Sequence, residues 1–392
     1  MRLLTLLFIV FLQACAVKEN PTIQTVDVPA NTNSAQPYLT NAPDGQPLMS
    51  WVEENENKYT LKFSRWEHES WSQPKTIVSD TTWFSNWADY PVIAQNGDNM
   101  IAHYLSPNGE DVYAYDVKII QSNNKGDSWS TPWVLHDDGK QAEHGFVTLL
   151  PYKDNFFATW LDGRNASMEG DGHNMEHMGA MTVRAAVITP DGTKSTEVEL
   201  DNRVCDCCQT FAAITDQGPV AIYRDRSEEE IRDIAIAQWK NGSWTKSKPV
   251  HVDNWNIAGC PVNGPRIDAK GNDIVIAWFT APEGKGAVNI LFSHDAGDTM
   301  TKAIRVDTGN TLGRVDVLLM DKNNAIVSWL EGDQIAARKV NENGELGEVI
   351  VVAQTSSARS SGFPQMTKAG DHVLFAWTDA AEKKVKGALL AL

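Results

Sequence analysis

The chain has 392 residues, 42% of them hydrophobic and 22% charged, which is the composition of a folded globular protein rather than a disordered one. Its 51 Asp and Glu against 34 Lys and Arg leave a formal net charge of -17, which repels the phosphate backbone and argues against nucleic acid as a partner. Length alone allows two or three domains, but closed all-β architectures often exceed the usual domain size, and the 14 Trp favour blade-type repeats.

Residues 1–14 read as an export signal. Arg2 supplies the positive end, and Leu3 to Leu12 form an apolar core too short to cross a bilayer as a helix. The following Leu12-Gln13-Ala14-Cys15 resembles a bacterial lipobox. That resemblance implies cleavage before Cys15 and lipidation of its thiol. Ala16, in place of Asp, implies sorting to the outer membrane of a Gram-negative bacterium. The expectation is a cell-envelope protein held to the membrane through Cys15, with an ordinary signal peptide cut nearby as the alternative. Residues 15–36, rich in Asn, Thr, Pro and Ala, read as a tether, within which Ile23 to Val28 alternate as a strand would.

From residue 37 to 392 one unit recurs: an apolar strand, a Gly/Asn/Asp turn, then an apolar strand ending in Trp or Tyr. The terminal aromatics are Trp51, Tyr104, Trp160, Tyr223, Trp278, Trp329 and Trp377, spaced 48 to 63 residues apart. A period near fifty with four strands per unit predicts a single all-β, seven-bladed β-propeller. Six blades with an extra strand pair, or paired β-sandwiches, are the alternatives. The seventh unit stops after its third strand, Lys384 to Leu390, so the strand at Ile23–Val28 is predicted to supply the fourth. That closure would remove an exposed sheet edge. Helical periodicity holds only weakly, around Glu228–Arg232.

Two turns, Ser122-Asn-Asn124-Lys-Gly126-Asp-Ser128-Trp129 and Ser293-His-Asp295-Ala-Gly297-Asp-Thr299-Met300, resemble the Asp-box (BNR) repeats of sialidase-like propellers. Both are imperfect, with Asn124 for Asp and Met300 for Trp. Asp-boxes shape turns and do not assign a reaction. The family resemblance further implies an arginine-rich carboxylate site with acidic catalytic groups. Asp162, Arg164, Asp225 and Arg314 are the candidates for it. The family's N-terminal Arg motif is absent, and seven blades is a departure from its six.

Blade topology places the fourth-to-first and second-to-third strand connections on one face, around the channel mouth, and the Asp-boxes on the other. The mouth receives Cys205-Asp206-Cys207-Cys208 at blade 4 and Gly259-Cys260-Pro261 at blade 5. In an oxidising compartment disulfides are the default, and a bridge to Cys260 would staple two blades. A ring within Cys205-Asp206-Cys207-Cys208 would be strained. The sharper expectation is a metal site of Cys205, Cys207, Cys208 and Cys260, completed by His144, His173, His177, Met175 and Met178. Thiolate, thioether and imidazole donors favour copper(I), or zinc if the thioethers stay out. Three functions follow from these residues: metal binding or handling, glycan binding or exo-sialidase-like hydrolysis with the cysteines as disulfides, and a protein-interaction scaffold.

Overall fold

The computed structural model describes residues 22–166 and 179–392. Cys15, His173, Met175, His177 and Met178 lie outside the described residues. The rest forms seven antiparallel sheets of four or five strands, arranged as the blades of one propeller. The innermost strands are Ser34–Asn41, Ile93–Asn96, His144–Tyr152, Phe211–Thr215, Arg266–Lys270, Thr311–Asp321 and Gln365–Ala369. Among the described residues the only helix is two single 3-10 turns, Pro282–Gly284 and Arg359–Ser361.

The ring closes through its termini. Strand Ile23–Val26 pairs antiparallel with Lys384–Ala391, Ile23 opposite Leu390 and Val26 opposite Gly387, so the first residues complete the last blade. The aromatic that ends each second strand is buried between blades, with Trp51, Trp160, Trp278 and Tyr223 fully enclosed. Each of these four satisfies its polar tip on a carboxylate. Trp51 Nε1 donates to Glu53 at 2.9 Å and Trp160 Nε1 to Asp162 at 3.0 Å, both two residues on and so on the same strand face. Tyr223 donates to Asp201 at 2.9 Å and Trp278 to Asp253 at 2.7 Å.

Both Asp-box turns are built alike. The Ser122 and Ser293 hydroxyls accept the Gly126 and Gly297 N–H groups, each at 2.9 Å. Asn124 replaces Asp without loss, because its Oδ1 accepts Ser128 N–H at 3.0 Å while its Nδ2 donates to the Ser128 hydroxyl at 2.8 Å. No helix forms at Glu228–Arg232. Instead the Ser227 hydroxyl accepts the Glu229 and Ile231 N–H groups, and Glu230 sits at φ 61°, which ends any right-handed turn.

The central channel is plugged part-way. Buried Arg266 stacks over Phe211, 3.8 Å from the ring centroid, and donates to the Tyr90 hydroxyl at 2.7 Å and Gln365 Oε1 at 3.0 Å. Towards the Asp-box face lies a cavity of about 390 Å³ lined by the inner strands. Towards the mouth a much smaller cavity, of about 10 Å³, lies beside Asp89, Phe146 and Gln209.

Candidate functional site

The innermost strands of blades 1, 3 and 6 begin with a bulge at which a non-glycine residue adopts positive φ: Gln36, Phe146 and Arg314. Each bulged N–H turns out of its ladder and is taken by a side chain from a neighbouring blade. Phe146 N–H donates to Asp89 Oδ1 at 2.7 Å. Arg314 N–H donates to Asn263 Oδ1 at 2.6 Å, and Gln36 N–H to the Thr378 hydroxyl at 3.2 Å. The blade 3 bulge thereby draws a carboxylate of blade 2 into the wall of the mouth.

Asp89 and Tyr115 are buried, Glu143 is half-buried, and the three form one cluster. The Tyr115 hydroxyl stands 3.1 Å from Asp89 Oδ2 and 2.9 Å from Glu143 Oε1. One hydroxyl donates only one proton, so the second contact needs a proton on a carboxyl. Burial raises Asp89 to about 7, against the Phe146 N–H and Tyr115 hydroxyl that hold its anion. Burial likewise raises Glu143 to about 8, with Tyr115 opposing and Asp89, Asp206 and Cys260 adding negative charge. Tyr115 is raised well above its usual value by burial and by the two acids, and it stacks on Phe84 at 4.1 Å. At neutral pH this cluster holds a proton that its solvent-facing member, Glu143, can deliver and retrieve.

The cysteines meet at the same mouth. Cys205 Sγ is 3.4 Å from Cys208 Sγ and 3.8 Å from Cys207 Sγ, and the four cysteines among the described residues are free thiols, so the disulfide expectation is corrected. Within Cys205-Asp206-Cys207-Cys208 the sulfurs touch, but the closely spaced backbone keeps them apart as thiols. Cys260, exposed, lies beside Cys207, close enough for each thiol to shift the other's proton affinity. Burial acts to raise Cys205. Hydrogen bonds from Cys207 and Cys208 and the Arg232 guanidinium, 3.3 Å away, outweigh it and hold Cys205 well below the ordinary thiol range. Asp206 faces Arg226 at 3.5 Å and Arg232 at 3.6 Å, and Arg232 links it to Cys205.

His144 belongs to a different network. Its Nδ1 contacts Ala142 O at 3.0 Å, and its Nε2 faces Asp138 at 3.1 Å and Asp162 at 3.7 Å. Its ring stacks on His136 with centroids 3.5 Å apart and planes 2° from parallel. Asp116 with His136 and His144, and Asp138 with His144 and Asp162, each bring three donor atoms within 4.8 Å of one another, close enough to hold a metal ion. The structure places His144 with these carboxylates and not within the sulfur cluster.

The four Arg and Asp candidates are spread over three places. Arg164 grips Asp162 through two 2.7 Å bonds and also reaches Glu197 at 2.8 Å. Asp162 is held at about 2: burial opposes this, while Arg164, His144 and Trp160 produce it. Asp225 is raised to about 6 by burial, with Asp201 and Asp233 nearby. Arg314 donates to the Gly362 carbonyl at 2.9 Å, the Ala358 carbonyl at 3.1 Å and the Ser361 hydroxyl at 2.8 Å, and stacks over Trp87. Among the described residues no polar contact joins the Asp162–Arg164 pair to Asp225 or Arg314. The sequence alone gives Asp89 and Glu143 no role, and nothing in it marks Tyr115.

No protein-family model matches the chain, and no curated protein matches it. Solved structures do. The α-L-arabinanase of Penicillium chrysogenum, complexed with arabinobiose, superposes with a TM-score of 0.52 at 10% identity, covering 95% of this chain and 98% of its own. The polysaccharide lyase Uly1 gives 0.54 at 10% identity, covering 91% and 89%. The NanB sialidase of Streptococcus pneumoniae gives 0.47 at 9% identity, covering 94% of each chain. The fold they share is the β-propeller. At such identities the likeness concerns architecture, and the chemistry has to come from this chain's own residues.

Proposed function

We propose that the protein is a glycan-active propeller that cleaves a glycosidic linkage at the channel mouth, with Glu143 as the group that donates and accepts the proton. The observation that carries this is the single Tyr115 hydroxyl between the Asp89 and Glu143 carboxyls, which stores a proton at neutral pH in a half-open position. Asp206, close enough to raise Glu143, is the second carboxylate such a reaction requires. The shared fold with an arabinanase and a polysaccharide lyase agrees with a glycan as substrate. The test is product release from arabinan, sialosides and uronate-containing polysaccharides by the wild type and Glu143→Gln. Cleavage of one class, lost by more than about a hundredfold in the variant, is expected. Cleavage unaffected by Glu143→Gln, or none from any of the three classes, overturns the proposal.

Export and anchoring complete the proposal. The Leu12-Gln13-Ala14-Cys15 segment supports a lipoprotein of the outer membrane, held by lipid on Cys15. Labelling with a radioactive fatty acid, lost in Cys15→Ser, tests it. A second function, binding or handing on copper in the envelope, is favoured by the crowded free thiols at 3.4 and 3.8 Å. Elemental analysis of protein isolated from the envelope tests it, and protein isolated without metal counts against it.

A further inference from the structure

We infer that Cys205, Cys207 and Cys208 form a three-sulfur site for copper(I), with Cys260 as a fourth sulfur at its edge. This deepens the copper-handling function and is independent of glycan cleavage. The three Sγ atoms lie within 4.8 Å of one another, with separations of 3.4 and 3.8 Å from Cys205 to Cys208 and Cys207. Three sulfurs around one ion at the usual metal–sulfur length of about 2.3 Å stand about 4 Å apart. Binding thus needs only a small outward movement of thiols that are already gathered.

The surroundings fit an anionic metal–thiolate centre. Arg232, almost wholly buried, donates to Cys205 Sγ at 3.3 Å, and the Asn263 N–H donates to Cys208 Sγ at 3.4 Å. Donors of this kind stabilise sulfur charge and orient the ligands. Asp206 faces Arg226 and Arg232, and the donors already gathered are the three sulfurs. All-sulfur trigonal donation suits a soft monovalent ion, whereas zinc would need a fourth donor, and Cys260 is the one at hand. Binding replaces thiol protons, released to solvent, by copper(I)–sulfur bonds, with no change of oxidation state.

The test uses the reduced mature chain under anaerobic conditions, titrated with copper(I) in competition with a coloured copper(I) chelator. One equivalent should leave the chelator, and the Cys205→Ser, Cys207→Ser and Cys208→Ser variants should each bind more weakly by more than about a hundredfold. Cys260→Ser should keep copper(I) but lose zinc(II). Native mass spectrometry of the wild type guards against misfolded variants, and should show one added copper with the matching loss of protons. No copper uptake by the wild type, or equal uptake by the Cys205→Ser/Cys207→Ser/Cys208→Ser triple variant, overturns the inference. Metal-free protein from the envelope that still binds copper(I) in vitro upholds the site and defeats only copper handling.

Discussion

Gly145 approaches the Asp89 carboxylate so closely that a Cβ at this position would collide with Oδ2. The absence of a side chain is what allows Asp89 to reach the Phe146 N–H and the Tyr115 hydroxyl. Gly145→Ala should therefore expel Asp89 from its niche and destabilise the fold by about 1–3 kcal/mol, the usual cost of orphaning a buried polar group. Urea unfolding measures it. An unchanged midpoint would show that Asp89 has room to move aside.

Asp89 and Glu143 also predict how stability follows pH. Their folded values, about 7 and about 8, lie above those of unfolded carboxyls, about 4. Between those limits the folded state holds more protons than the unfolded one, so stability falls as pH rises from about 4 to about 8. The two share one hydrogen-bonded cluster, so the combined effect belongs to the pair. The Asp89→Asn/Glu143→Gln variant should be flatter than wild type over this window. Parallel pH profiles for the two proteins would refute the shared proton.

Arg314 tests whether a mouth-facing arginine binds ligand or holds blades together. Its guanidinium ties the Gly362 and Ala358 carbonyls and the Ser361 hydroxyl of the entry to blade 7. Arg314→Ala should cost about 2–4 kcal/mol, since buried carbonyls lose their donors. Arg164→Ala, which strands the buried Asp162 and Glu197 carboxylates, should cost about 3–5 kcal/mol. Thermal melts of both variants measure the losses, and an unchanged melting point for Arg314→Ala would show that Arg314 is dispensable for the fold.

Architecture was legible because it repeats. Each buried Trp51-type anchor states its own blade, and the Ile23 strand is the one segment left to close the ring. The mouth was legible as a place, since blade order alone brings Cys205 and Cys260 together. Its chemistry was not. Asp89 and Glu143 are two among 51 acidic residues, and their meeting depends on a bulge at Phe146 that no local pattern announces. The disulfide expectation followed the compartment, while the local chain path keeps the sulfurs apart as thiols. His144 was expected beside the sulfurs, and the fold sets it instead among Asp116, His136, Asp138 and Asp162.

The Asp-box turn at Gly126 ties blade 2 to blade 1. Gly126 lies at φ 79°, and a Cβ there would strike the Phe63 ring, which packs edge-on against Trp129 at 6.1 Å. Gly126→Ala should cost about 2–3 kcal/mol from the strained backbone and the displaced ring together. Gly139, also at positive φ but with nothing within 4 Å of its Cβ position, is the control for backbone strain alone. Gly139→Ala should cost about 1 kcal/mol. Denaturant midpoints for the two variants separate the contributions, and equal losses would show that the Phe63 contact adds nothing.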